Sequence, residues 1–210
     1  MHHVNAVLPL QRGGRGYGLV ELMISISLAA MIFTGAWDIL ANQQFYNTRT
    51  EQYYLVQHEA KNLLTVMQRE LNRAGFNADA DVVNPFVYVD PRDNSPVIFR
   101  LNSNQDCITY RYDRNADGIF HQEDFGFRLH HAGLQLRKGS NVNCDGGLGW
   151  ETISQAENIE ITQLRFSVMS KTVSPVIVKG IITITLRIRH RQFTDMALDF
   201  SRNGSVRVLL

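Results

Sequence analysis

The chain reads as an α+β protein in which one long N-terminal helix packs on an antiparallel β-sheet domain. Three observations predict this. From Leu22 to Trp37 the sequence is almost wholly apolar and rich in helix formers. From Asn42 to Arg73 it holds neither proline nor glycine, and Val56, Ala60, Leu63, Met67, Leu71 and Ala74 recur at spacings of three and four. That is the period of a helix with one apolar face. Beyond Cys107 the period shortens to two, with Ile182, Ile184, Leu186 and Ile188 on one face and Thr183, Thr185, Arg187, Arg189 and Arg191 on the other. Such alternation describes a sheet covered on one side only.

With 210 residues, 44% hydrophobic and 20% charged, one folded domain plus a long helix is the natural organisation. The formal net charge of +1 argues against general electrostatic binding to nucleic acid. Arg12 and Arg15 precede the stretch from Gly16 to Leu40, and Glu21 sits at the N-terminal edge of its apolar run. The run is long enough to cross most of a bilayer as a helix. A carboxylate within such a segment costs about 2.5–3.5 kcal/mol on insertion scales, so Glu21 needs a partner or a purpose. The order of parts is not that of a secretory signal, whose cleavage site follows its apolar run. Here a glycine lies between the basic residues and the run, so a cut after Gly16 removes a sixteen-residue leader and leaves the helix attached.

The helical pattern continues to about Arg73, with Gly75 as a plausible C-cap. A single helix of about 55 residues, on the order of 80 Å, is predicted. Its first half is apolar all round and its second half amphipathic. Residues 77–105 read as a variable loop region, since Pro85, Pro91 and Pro96 with many Asn and Asp break any long element. Short strands at Pro85–Val89 and Val97–Leu101 fit within it. Strands are then predicted at Cys107–Tyr112, Phe125–His131, Leu134–Lys138, Ile159–Met169 and Gly180–Arg191. A switch of apolar phase between Ile161 and Leu164 predicts a β-bulge.

Two cysteines, Cys107 and Cys144, fall beyond the apolar run. The basic leader holds the N-terminus in the cytoplasm and places the remainder outside. There a disulfide is the expected state, with two free thiols or a metal pair as the alternatives. A bridge over this loop contributes about 4 kcal/mol on the chain-entropy model. Asp113, Asn115 and Asp117, followed by Gly118, match the first half of an EF-hand calcium loop; Ile119 supplies a carbonyl and Asp124 falls at the twelfth position. Alternate hard oxygens around a glycine turn are what calcium requires, yet Asp rather than Glu stands twelfth, and the flanks read as strands. A polar hairpin turn is the competing reading. His130 and His131, placed on one strand, would point to opposite faces and not chelate one ion. No Gly-x-Ser-x-Gly, phosphate loop, dinucleotide fingerprint or zinc spacing is present, and no catalysis is expected of the chain.

The segment Gly16-Tyr17-Gly18-Leu19-Val20-Glu21-Leu22-Met23 resembles the processing site of type IV pilins and pseudopilins. The order Asp106-Cys107-Ile108, Tyr112 to Ile119, Gly126-Phe127-Arg128-Leu129, Asn143-Cys144 and Gly149-Trp150 is similar to that of the PilW-like minor pilins, nearest to prepilin peptidase-dependent protein B. Several things are implied by the resemblance. A prepilin peptidase cuts between Gly16 and Tyr17 and methylates the new amine of Tyr17. Glu21, then the fifth mature residue, neutralises a subunit's N-terminal amine in the fibre. Residues 1–16 are the leader, 17–41 the membrane and polymerisation half of the helix, 42–76 its amphipathic half and 77–210 the β-rich domain. The place where main-subunit pilins often carry a helix-bending proline is Asp38 here, which points to a minor subunit. The expected function is therefore a minor type IV pilin in pilus assembly or priming. It sits in the inner membrane as a single pass with a periplasmic domain, then on the pilus. Its partners are the peptidase and other minor or major pilins or pseudopilins, with no nucleic acid, no small-molecule substrate and no required cofactor. The alternatives are a J-type pseudopilin of type II secretion and a membrane-anchored, calcium-dependent binding module.

Overall fold

The structure, a computed structural model, describes residues 18–79, 83–139, 143–146, 148–155 and 157–210. Its first element is α1, Leu19–Leu71, a single helix of 53 residues. Two compact units divide the chain, Met1–Arg49 and Thr50–Leu210.

In the second unit, α1 contributes Val56, Ala60, Leu63, Leu64, Met67 and Leu71 to one core, all buried. These include the first five positions of the stripe read from the sequence, and the sixth, Ala74, is buried just past the helix end. The helix ends at Leu71, and a short turn carries the chain to Gly75, the residue the sequence reads as its cap. Gly75 adopts φ +75°, and a Cβ there would meet a Val208 methyl at 2.6 Å. Its N–H donates to the Arg111 carbonyl at 2.7 Å, so the turn that ends the helix also ties it to the sheet.

Ten strands follow. β1 (Tyr88–Val89), β2 (Pro96–Val97) and β3 (Arg100–Leu101) are two-residue pieces in the proline-rich region. β4 (Cys107–Arg111), β5 (Asp124–His130), β6 (Gly133–Gly139) and β7 (Trp150–Thr152) continue an antiparallel meander in the order β3-β4-β5-β6-β7. β8 (Ile159–Ser174), β9 (Ile177–His190) and β10 (Ala197–Leu209) form a separate antiparallel sheet in the order β10-β9-β8. The pairing of β8 with β9 shifts register between Ile161 and Gln163, the bulge that the apolar phase switch predicted.

Both larger sheets share the helix's core. Ile182, Ile184, Leu186 and Ile188 of β9 are buried on one face, and Ile108, Tyr110, Phe125 and Phe127 come from the meander. Tyr110, Tyr112 and Phe125 stack face to face, with Tyr112 and Phe125 centroids 4.3 Å apart. Complete burial pushes the Tyr110 phenol well above its usual range. Polar clasps run along the helix as well. Gln52 meets the buried His190 at 2.9 Å, Glu59 accepts the Gln155 N–H, and Gln68 donates to the Asn203 carbonyl at 2.8 Å.

Two strands go beyond the sequence reading. β7 is short, and its pattern is not distinguishable from a loop. β10 contains Asn203-Gly204, ordinarily a hairpin signal, yet it runs straight through that pair. Gly204 faces the helix, where a Cβ would lie 2.9 Å from the Asn72 side chain, so close approach rather than a turn is its reason.

Met67→Ala removes a fully buried side chain between helix and sheets and is expected to cost about 2–5 kcal/mol, read as a lower urea midpoint of the detergent-solubilised chain.

Candidate functional site

In the first unit, no part of the unit covers the described side chains as far as residue 48. Residues 18–48 are all exposed. Thirteen large apolar side chains between Leu19 and Leu40 are each more than half exposed. At about 1.5–3 kcal/mol for each such side chain left in water, the liability is on the order of 20–40 kcal/mol. That exceeds several-fold the roughly 5–7 kcal/mol charged to the two acids of the same stretch, Glu21 and Asp38, so an apolar surrounding wins despite both. α1 is long and apolar enough to cross a membrane.

Local chemistry within this segment suits such a medium. Ser25 donates to the Glu21 carbonyl at 2.8 Å, Ser27 to the Met23 carbonyl at 2.8 Å and Thr34 to the Met31 carbonyl at 2.9 Å. Each hydroxyl is therefore satisfied by its own helix and leaves no stranded donor. Phe33 and Trp37 stack one turn apart at 6.4 Å. Glu21 stands in the first turn, where its carboxylate accepts the Gly18 N–H at 3.3 Å and faces the positive end of the helix dipole. Gly16 and Tyr17, the expected processing pair, lie outside the described residues.

In the second unit, Cys107 and Cys144 are joined, with Cα atoms 5.9 Å apart across 37 positions. The bridge pins the start of β4 to the loop after β6. Arg128 fastens the same loop by donating to the carbonyls of Cys144 at 3.0 Å and Gly146 at 2.7 Å, with its guanidinium 4.3 Å from the Trp150 ring centre.

The five calcium candidates are not brought to one point. Asp113, Asn115 and Asp117 do share a turn. The buried Asp113 carboxylate accepts the N–H groups of Ala78 at 3.2 Å, Asp117 at 3.2 Å and Gly118 at 2.9 Å. Asp117 accepts the Ile119 N–H at 2.8 Å, which holds its carboxyl below the usual range, and also an Asn115 amide at 2.7 Å. Asp124 is engaged elsewhere. It is the first residue of β5, opposite Arg111 on β4, and that guanidinium holds it at 2.6 Å. Arg111 in turn lies over the Tyr88 and Phe120 rings at 4.5 and 4.4 Å. Among the described residues no group of three or more His, Cys, Asp or Glu side chains is placed to hold a metal ion.

The two histidines depart from their expected geometry. His131 and Ala132 have φ of +48° and +60°, forming a two-residue turn between β5 and β6. His131 is thus in the turn, not the strand, and its ring meets that of His130 edge-on at 4.0 Å. Strand alternation fails once the turn begins; two left-handed residues without glycine or asparagine gave no turn signal. Arg128 enters the sequence reading only as part of a resembling motif, and its clamping role depends on a loop 16 residues away.

An apolar helix with an acid in its first turn, on a chain whose other unit packs that helix's amphipathic part on antiparallel sheets, defines a pilin-related protein. The chain belongs to the prepilin peptidase-dependent protein B family, whose model matches residues 49–208. No curated protein and no solved structure matches it.

Two outcomes follow for the acidic turn. Asp113→Ala strands three backbone donors and is expected to cost about 1–3 kcal/mol in a thermal melt. Calcium at about 1 mM is expected to leave Tm unchanged, because the twelfth-position carboxylate would first have to leave Arg111.

Proposed function

We propose that this chain is a minor type IV pilin, cut after Gly16 by prepilin peptidase, methylated at Tyr17, and incorporated into a pilus through its apolar helix. The observation that carries the reading is the helix itself, apolar and uncovered on every side from Leu22 to Trp37, with the acid Glu21 immediately before that run. Membership of a family named for dependence on that peptidase supports it, through residues that do not include the helix's apolar half.

The mechanism is assembly without catalysis. Before incorporation, lipid covers the apolar side chains. During incorporation, neighbouring helices replace lipid, so the hydrophobic term changes little and packing and charge decide register. Removing the leader exposes an amine at Tyr17, four residues before Glu21. That amine in one subunit meets the Glu21 carboxylate of another, and each cancels a charge that would be costly alone in an apolar bundle. The domain carried outward, with its periplasmic disulfide, presents the surface by which neighbouring subunits are chosen.

N-terminal mass spectrometry of the membrane-extracted protein tests the processing step. A mature chain beginning with methyl-tyrosine at Tyr17 is expected, and an intact Met1 would refute it. Glu21→Gln is expected to leave that processing intact while lowering recovery in sheared pili by 10-fold or more; unchanged recovery would remove the charge-pairing role.

A further inference from the structure

The outer face of the β8-β9-β10 sheet divides its charges unequally. Directly opposite residues on the three strands form rows across it. Near one end, Arg187 is held by Asp199 through two bonds at 2.7 and 2.8 Å, and Arg189 by Glu160. The arginine stripe visible in the sequence is therefore largely neutralised by its own cross-strand neighbours. Towards the β8–β9 hairpin the pattern reverses. Lys171, Lys179 and Arg207 occupy one row, Lys179 between the other two, with all three exposed. No carboxylate stands in that row or in the next one, formed by Met169, Ile181 and Ser205. Like charges directly opposite destabilise a sheet, whereas opposite charges would stabilise it. A row of three is thus a cost to folding that the same face avoids at its other end.

Apolar surface adjoins the cations. Met169 is 66% exposed and Ile181 37%, and at the hairpin tip Val173 and Val176 are more than half exposed. Along β8, the Phe166 N–H points away from β9, to the Gln105 carbonyl. By alternation Val168, Ser170 and Thr172 direct their backbone groups the same way. Among the described residues these form the open edge of the sheet. The hairpin also lies at the end of this unit remote from Thr50, since Gln52 lies beside His190 while Asn72 and Gly75 lie beside Gly204 and Val208.

We propose that this end of the sheet is a docking surface for an acidic face of a partner protein, whose carboxylates pair with Lys171, Lys179 and Arg207 while apolar side chains cover Met169 and Ile181. The charge row selects the sign of the partner, and the apolar row selects its class. A nucleic-acid backbone would neutralise the cations yet leave Met169, Ile181, Val173 and Val176 uncovered. An acidic protein surface with an apolar centre satisfies both, in the usual arrangement of such interfaces. The proposal stands on the second unit alone and does not depend on how the chain is processed or incorporated.

Three measurements on the full chain test it. Lys179→Glu places a carboxylate between two cations and is expected to raise Tm by roughly 1–3 °C; a lowered Tm would mean the row is not uncompensated. In cells, a photo-crosslinking residue at Met169 is expected to give one protein adduct whose crosslinked peptide carries at least two carboxylates. That adduct should fall about 10-fold in the Lys171→Glu, Lys179→Glu double variant and persist in the Lys138→Glu control. An adduct indifferent to the double variant, or no adduct, overturns the proposal. So does binding of a 20-base-pair DNA duplex by the purified chain that the double variant abolishes, which would assign the surface to nucleic acid.

Discussion

The helix carries two incompatible solvent requirements on one continuous backbone, and much else in the chain follows from that constraint. Through Leu40 nearly every turn presents apolar groups in all directions, so no globular packing of this segment on one partner could cover it. From Val56 onward the apolar residues fall on one stripe, which one core can cover and does. Helical hydrogen bonding is the only backbone arrangement that serves both media without change, because each polar group is satisfied within the segment. Hence the absence of proline and glycine between Asn42 and Arg73, and hence the Ser25, Ser27 and Thr34 hydroxyls turned back on their own carbonyls.

The second requirement is that the amphipathic part be held firmly by a domain of modest size. Hydrophobic burial does most of this, yet the polar clasps fix the helix lengthwise. Gln52 at His190, Glu59 at Gln155 and Gln68 at Asn203 are spaced along it, and an axial slip would break them together. At the far end, Gly75 turns the chain against Val208 and Arg111. The disulfide works on the opposite sheet. It closes the loop after β6 onto the start of β4, where the short β3 strand offers little pairing of its own.

Legibility in the sequence followed the range of the interactions. The helix stripe, its glycine end, the long strand β9 and the bulge in β8 are set by neighbours within a few residues, and each could be read. β10 could not, because its most telling residue, Gly204, is chosen by a helix more than 130 positions earlier, and locally it mimics a turn. The acidic turn shows the same limit. Asp113, Asn115 and Asp117 fold on local amides as their spacing implies, but Asp124 is claimed by Arg111 across the β4–β5 pair. Only strand register, which the sequence of a long loop does not specify, decides which of the two it serves.

The family match and the N-terminal motif are separate lines of argument. The match begins at residue 49, and the second compact unit begins at Thr50; the motif ends before Ile24. Neither could have produced the other, since an apolar helix with an early acid says nothing of sheets, and a disulfide-pinned meander says nothing of a leader. Their meeting on one chain is what the proposed reading of the apolar segment as an assembling helix rests on. A generic anchor gains nothing from an acid at its start and loses insertion energy by it. An assembling helix gains a registration point, provided an amine is created nearby, and Gly16 stands one residue before the amine that a single cut would make.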